Sequence, residues 1–422
     1  MAPYKHSVAL DSEKCKGCIT CLKRCPTEAI RIRAGHAVID PNRCIDCGEC
    51  IKLCPHKAKR ATSDRLGDIP FGIKYVIALP PPSLYGQFEN LNDADILIQG
   101  LINLGFNEVY EVAKAAELVT EYTRNYLLRK DVKKPVVSSA CPVVTRLISL
   151  RFPYLCDNIV PLLPPMEIAA IKAKAKAKRE HPELRDSDIV TVFISPCPAK
   201  VSYIKNDSHK SRINYVVSAS EVYFELLGVM GKPCENPPSS ESGMVGMSWA
   251  VSGGEASALL NERYLAADGI ENVIRVLDEL ETGNFPFLDF IELNACSSGC
   301  VGGVLNVGNP YLTKVKIQNI KRYLPVMQNR PSIEEVKNIP KRFAHTELEY
   351  APVSSLNSDR KTAMNLMFEI KKLYEKLPEF DCGACGSPTC RAFAEDVVLG
   401  NAELSDCVMK DRPKKSDLSD NA

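Results

Sequence analysis

Cysteine restricts this chain more than any other residue. It occurs 18 times in 422 residues, mostly in short, regularly spaced groups. Cys15, Cys18, Cys21 and Cys25 precede Pro26, and Cys44, Cys47, Cys50 and Cys54 precede Pro55, so the run C-x2-C-x2-C-x3-C-P occurs twice. A third group, Cys382, Cys385, Cys390 and Cys407, lies near the other end, in D-C-G-A-C-G-S-P-T-C with a later D-C. A disulfide framework would need an oxidising compartment. Clustered thiols in a large chain without an export signal point instead to metal. Two identical four-cysteine runs suit iron–sulfur cubanes better than zinc ribbons.

Composition narrows the remainder. The hydrophobic fraction of 45% is ample for packed cores, and the length suits two or three domains. The 53 basic and 52 acidic residues leave a net charge of +1, which offers neither nucleic acid nor an anionic membrane an electrostatic reason to bind. No apolar run approaches a membrane span, and cysteine-rich, charged sequence begins by Cys15 where a signal peptide would need an apolar stretch. A cytoplasmic location is expected.

Between the cysteine groups a strand–loop–helix pattern recurs. Tyr75–Leu79, Val136–Ser138, Val190–Ile194 and Phe290–Leu293 read as short buried strands. They run into Pro80, Pro81, Pro82 and Ser83; into Ala140, Cys141 and Pro142; into Pro196, Cys197, Pro198 and Lys200; and into Cys296 and Cys300. Helical pattern follows at Asn90–Leu104, Val144–Leu150 and Ser220–Met230. The series predicts an α/β domain with parallel strands, whose ligands gather beyond the carboxyl ends. Cys141, Cys197, Cys296 and Cys300 are then four thiolates for one [4Fe-4S] cubane. Lys200, three past Cys197 in a loop of proline and apolar residues, is placed to donate to an anionic group on that cluster. Cys296 and Cys300 would point the same way on a helix, and Gly299, Gly302 and Gly303 would let backbone approach a bulky ligand.

Three resemblances follow from these residues. The first two cysteine runs resemble bacterial two-cluster ferredoxins, whose crossed ligation implies one cubane on Cys15, Cys18, Cys21 and Cys54 and a second on Cys44, Cys47, Cys50 and Cys25. The segments S-S-A-C-P-V-V (138–144), S-P-C-P-A-K (195–200) and E-L-N-A-C-S-S-G-C-V-G-G (292–303) resemble the three signature motifs of [FeFe]-hydrogenases. G-F-N-E-V-Y-E (105–111) and S-G-G-E-A (252–256) extend that likeness across most of residues 72–345. The C-terminal group resembles the small [4Fe-4S] domain of corrinoid iron–sulfur proteins and of a subunit of Rnf-type electron-transfer complexes.

The hydrogenase resemblance implies a two-lobed α/β catalytic-domain fold with parallel sheets, flanked by a small α+β ferredoxin-like domain and a small C-terminal [4Fe-4S] domain. The expected boundaries are 1–60 for the ferredoxin-like part, 72–345 for the H-cluster part, 346–378 for a linker helix, 379–410 for the last cluster and 411–422 for a disordered tail, with Arg60–Ile69 as a polar linker. The implied cofactors are three accessory [4Fe-4S] clusters and an H-cluster, a cubane joined to a diiron unit with CO, cyanide and a dithiolate bridge. In that family's pattern Cys300 would bridge cubane and diiron unit, Lys200 would hydrogen-bond one cyanide, and Pro82 and Ser83 would sit against the other. Asn294, Gly302 and Gly303 would line the cofactor. The implied partners are H2 and protons, a redox or signalling protein, and maturation proteins that supply the diiron unit.

The departures bear on activity. Where catalytic members carry a proton-relaying cysteine before the first motif's ligand, this chain has Ala140, which cannot titrate. Ser195 and Asn294 stand where methionines are usual, Tyr203 where a glutamate is usual, and the glutamate expected around Glu117–Tyr122 is shifted or lost. A kept cluster shell with a cut proton path resembles the slow, H2-sensing branches. The alternatives are a non-enzymatic hydrogenase-like assembly or electron-transfer protein, and an ordinary hydrogenase with another proton route. Cys156 and Cys234 fit no cluster and read as small hydrophobes. Lys172, Lys174, Lys176 and Lys178 read as a solvated helix face, and Trp249 as a core residue. Leu366, Ile370, Leu373 and Leu377 give a charged helix one apolar stripe.

Overall fold

The computed structural model describes residues 4–415 apart from 90, 207–209, 234–236, 346–347, 353–355 and 358. Cys234 therefore lies outside the described residues, as do 416–422 of the expected tail. The chain forms two compact units, Met1–Ala61 with Ala351–Ala422, and Thr62–Tyr350.

The first unit contains two pseudo-equivalent halves. Its strands are β1 (Val8–Leu10), β2 (Ile30–Arg33), β3 (His36–Ile39) and β4 (Lys59–Ala61). β1 pairs antiparallel with β4, setting Leu10 opposite Lys59, and β2 pairs antiparallel with β3, setting Ile30 opposite Ile39. The repeated sequence produces repeated bonds. Ala29 N donates to Cys25 Sγ and Ala58 N to Cys54 Sγ, both at 3.2 Å. Cys21 and Cys50 ride on the short helices Thr20–Lys23 and Glu49–Lys52.

The C-terminal cysteines share this unit. The helix Arg360–Tyr374, expected as a linker, buries Ile370 in a small core with Leu377, Phe393, Ala394 and Cys407. Its apolar stripe thus belongs to the last cluster segment. That segment docks on the N-terminal strands: Ile32 N donates to Gly386 O at 2.8 Å, and Lys23 Nζ to Pro388 O at 3.0 Å. Asp396 is the hub, with Arg31 Nε at 2.6 Å, Arg33 Nη2 at 2.8 Å and Ser387 Oγ at 2.5 Å, all on one carboxylate oxygen. Two arginines on one buried carboxylate form a bonded network, not a lone surface pair.

In the second unit the strands are β5 (Tyr75–Leu79), β6 (Glu108–Val109), β7 (Val136–Val137), β8 (Ile189–Ser195), β9 (Tyr215–Ser218), β10 (Tyr264–Asp268) and β11 (Phe290–Asn294). They make two sheets, β6-β5-β8-β9 and β10-β11-β7, and every pairing is parallel. Each sheet is one lobe of the expected α/β fold. β8 is buried at all its residues, which is why its sequence, I-V-T-V-F-I-S, lacks polar alternation. Proline opens the helices Pro142–Arg151, Pro165–Glu180 and Pro198–Lys205 at the first turn, where the missing N–H costs no bond. Ala169, Ala170, Ala173 and Ala177 bury one face of Pro165–Glu180. Its lysines are less solvated than their spacing predicted, since Lys176 pairs with Glu108 at 2.9 Å. Among the described residues no helix is long and apolar enough to cross a membrane.

The polar stretch Arg60–Ile69 is not a free linker. Asp64 N donates to Val216 O at 2.9 Å, Asp64 accepts from Lys205 Nζ at 2.6 Å, and Ile69 is buried. Its polar residues add to the edge of the β9 side of the sheet, which hydropathy alone does not reveal. Cys156 is half-buried, its thiol 3.9 Å from Phe152 O.

The Asp396 network generates a stability prediction. Asp396→Ala should leave Arg31 and Arg33 without their shared carboxylate and destabilise the first unit by about 2–3 kcal/mol, read as a lower urea midpoint followed at the cluster absorbance. Asp131→Ala, which removes only an exposed partner of Arg129, should leave that midpoint unchanged.

Candidate metal centre

All four loops singled out in the sequence leave the carboxyl ends of their strands. The first sheet supplies Pro82 and Ser83 after β5, and Cys197 and Lys200 after β8; the second supplies Cys141 after β7, and Cys296 and Cys300 after β11. The site is thus built half from each lobe. Cys197 and Cys141 are helix N-caps, directly before the N1 prolines Pro198 and Pro142, so each sits at the positive end of its helix.

The link from Cys296 to Cys300 is a turn, not the expected helix. Ser298 has φ +67° and Gly299 φ +87°, and only Cys300–Gly302 forms a 3-10 turn. Left-handed backbone at two successive residues ends any helix there, and Ser298 N is held by Asp268 Oδ2 at 2.9 Å. The following glycines make room for backbone. A Cβ on Gly302 would meet Ser297 O at 2.1 Å, and one on Gly303 would meet Pro196 O at 2.3 Å. That second approach presses the Cys300 turn against the Cys197 loop, across the two lobes.

The four thiols come close enough to act on one another. Burial pushes the Cys197 thiol up to about 11, against the pull of Lys200 and with help from Cys300 and Cys141; burial and the charges of Cys197, Cys141 and Cys300 push Cys296 well above its ordinary value. Lys200 Nζ lies 3.6 Å from Cys300 Sγ. Burial disfavours its ammonium, but the surrounding thiolates outweigh that and hold its pKa above the usual lysine value.

Beside Cys300 lies a cavity walled by Pro81, Val112, Ala116, Met166, Phe193 and Trp249, with Ser83, Lys200, Ala140 and Asn294 also on its surface. Ser83 is fully buried, and its hydroxyl has no hydrogen-bond partner among the described residues. An orphaned hydroxyl and an ammonium facing a largely apolar hollow fit an anionic, multi-acceptor group on their side of it. Trp249 contributes to this wall while its Nε1 donates to Thr120 Oγ1 at 3.1 Å.

Two buried carboxyls on the same wall escaped the sequence reading. Glu292 accepts from Gly253 N, Ala256 N and Asn294 Nδ2 at 2.7–3.0 Å. Among the described residues Glu255 accepts only from Ser138 Oγ, at 2.6 Å. Burial, then the neighbouring Glu292 charge, pushes Glu255 well above the usual carboxyl range; burial also raises Glu292. Both lay inside quoted motifs, but only the fold puts them side by side. Glu117, by contrast, is not on this wall. It is buried and accepts from Gly243 N, Gln328 N, Asn329 N and Asn329 Nδ2, which ties its helix to two loops.

In the first unit, Cys25, Cys44, Cys47 and Cys50 line one cavity, and Cys382, Cys385, Cys390 and Cys407 line another. Cys15, Cys18 and Cys54 are the thiols that act on Cys21. The structure therefore brings Cys25 to the second run and Cys54 to the first.

Comparison with known families decides the lineage. The profile described as iron-only hydrogenase large subunit, C-terminal domain, matches residues 74–264 and 254–304. The chain belongs to the iron-only hydrogenase family. A 4Fe-4S dicluster domain matches 7–55, and an Fe-S cluster domain matches 377–409. Among solved structures, the [FeFe]-hydrogenase HydA(deltaEFG) is 18% identical and aligns over 66% of this chain and 94% of its own, with a TM-score of 0.52. A variant of HydA1 from Chlamydomonas reinhardtii is 17% identical over 66% and 95%, at 0.51. These show the α/β fold with its parallel sheets. The large subunit of the corrinoid/iron–sulfur protein of Moorella thermoacetica is 47% identical over 36 residues, 8% of each chain. The protein is therefore a hydrogenase-like iron–sulfur protein with a ferredoxin-like N-terminal region.

Cys296 supplies the test of the grouping. Cys296→Ala should lower bound iron by about four atoms per chain and leave the signals of the other cubanes intact, measured by iron assay and electron paramagnetic resonance.

Proposed function

We propose that this protein reacts with H2 slowly and reversibly at an H-cluster, and passes the electrons through its accessory clusters as an H2 signal. The observation that carries the reading is the cavity wall, where Lys200, Cys300 and the unpartnered Ser83 are kept while the position for proton relay is Ala140. When bound, the H-cluster supplies the cleavage of H2 into two protons and two electrons.

The chain's own residues would act around it as follows. Cys141, Cys197, Cys296 and Cys300 would hold the cubane. The Lys200 ammonium and the Ser83 hydroxyl would donate to anionic groups of the bound cofactor and orient it. Val112, Ala116, Met166 and Phe193 keep water from the wall. Ala140 cannot take a proton, and loss of such a group costs about 10²–10⁴ in rate. Its amide donates instead to Ser138 Oγ at 3.1 Å, and that hydroxyl donates to Glu255. Glu255 and Glu292 can hold one proton between them. They favour a second reading, in which this buried pair is a working substitute route. The orphaned Ser83 and the cluster-facing Lys200 argue against a non-enzymatic assembly factor, which would have nothing for them to bind.

Three accessory cubanes, a fourth cubane and a diiron unit require about 18 iron atoms per chain. The fully matured protein should show infrared bands from CO and cyanide that change under H2. Matured protein lacking such bands would remove the hydrogenase activity from the proposal. Turnover separates the two proton readings. Ala140→Cys should raise H2 oxidation by about tenfold or more. Unchanged turnover there, with a hundredfold loss in Glu255→Gln at equal infrared intensity, would make the carboxyl pair the principal route.

A further inference from the structure

The two halves of the N-terminal region differ at one buried position. Counting from the last cysteine of each run, Cys25-Pro26 leads through Ala29 to Ile30, and Cys54-Pro55 leads through Ala58 to Lys59. Ile30 is 2% exposed and lines the cavity of Cys25, Cys44, Cys47 and Cys50. Lys59 is 4% exposed, and its Nζ is buried with no hydrogen-bond partner among the described residues. Backbone pairing fixes the equivalence: Ile30 stands opposite Ile39, and Lys59 opposite Leu10. Ala29 and Ala58 make matching amide bonds to sulfur on the preceding residue. A lysine thus occupies a slot that the repeat builds for an aliphatic side chain.

A buried ammonium without a partner is costly, and a lysine buried for packing alone would carry its head to solvent. This one keeps its Nζ buried instead. Its counterpart Ile30 lines the cavity of Cys25, Cys44, Cys47 and Cys50, so by the repeat Lys59 occupies the matching slot of the set that contains Cys54. Asp46, buried and holding Ser7 N at 2.9 Å, lines the Cys25, Cys44, Cys47 and Cys50 cavity and places a carboxylate there.

We infer that Lys59 is the internal counter-cation of the N-terminal cubanes and raises the reduction potential of the one held by Cys15, Cys18, Cys21 and Cys54 above that of its neighbour. The inference rests on reading these cysteines as cluster ligands. Reduction adds one electron, and so one negative charge, to a cubane. A fixed ammonium in a low-dielectric site stabilises that reduced state, while Asp46 cancels the gain on the second cubane. The pair is then polarised, with the electron resting on the first cluster.

The test is a potentiometric titration followed by electron paramagnetic resonance, on full-length protein loaded with cubanes but not with the diiron unit. Lys59→Ile, which copies Ile30, should lower the reduced-to-oxidised ratio of one cubane by about tenfold at fixed potential, a shift of 59 mV for a one-electron couple. The remaining midpoints should move less, and Lys59→Arg should keep the wild-type value. Lys59→Met repeats the neutral substitution with a longer side chain. Unchanged midpoints in both neutral variants, at wild-type iron and sulfide content, would overturn the inference. So would loss of the N-terminal cubanes from both, because that assigns Lys59 to assembly. Wild-type protein without N-terminal cubane signals would instead refute the ligand reading itself.

Discussion

Negative charge held out of water is the constraint on which this structure depends. A thiol must lose its proton to bind iron, and burial resists that loss at Cys197 and Cys296. Several of the cluster positions therefore come with something positive or hydrogen-donating. Lys200 stands at Cys300, Cys141 and Cys197 sit at helix N-termini, amides donate to Cys25 and Cys54, and Lys59 lies within the N-terminal pair. The parallel sheets serve this end, since strands that all run one way deliver their following loops, and the helix ends beyond them, to one edge.

The same constraint explains why the catalytic-type wall mixes apolar residues with a few isolated polar ones. Aliphatic and aromatic side chains exclude water and so strengthen every remaining electrostatic contact. In that setting burial pushes a carboxyl such as Glu255 towards its neutral form, whereas Glu292, with three donors, has more to stabilise its charge. One environment thus holds two chemically identical side chains in different protonation tendencies.

Much of this was legible in the sequence because cysteine spacing and apolar runs are local signals. β5, β7, β8 and β11 fall where short runs of Val, Ile, Leu and Phe predicted them. β6 and β10 were not legible. Glu108–Val109 is two residues long, and Tyr264–Asp268 lacks a continuous apolar face. The Cys296–Cys300 turn was misread because four-residue spacing is common to helices and to tight turns, and only the positive φ at Ser298 and Gly299 separates them. The Glu255–Glu292 pair was hidden for another reason. Those residues are 37 positions apart, and a glutamate in a motif does not announce its burial. Nothing in the sequence marks Lys59 as buried either.

The docking of the C-terminal segment on the first strands has a consequence for biogenesis. Arg33 and its partner Asp396 are separated by 363 residues of chain. At ordinary rates of synthesis, roughly 20–70 s pass between their emergence from a ribosome. Through that interval Arg31 and Arg33 lack the Asp396 carboxylate they share in the finished unit. The N-terminal unit is thus finished only by a segment made 363 residues later, and its completion reports that everything between has been translated.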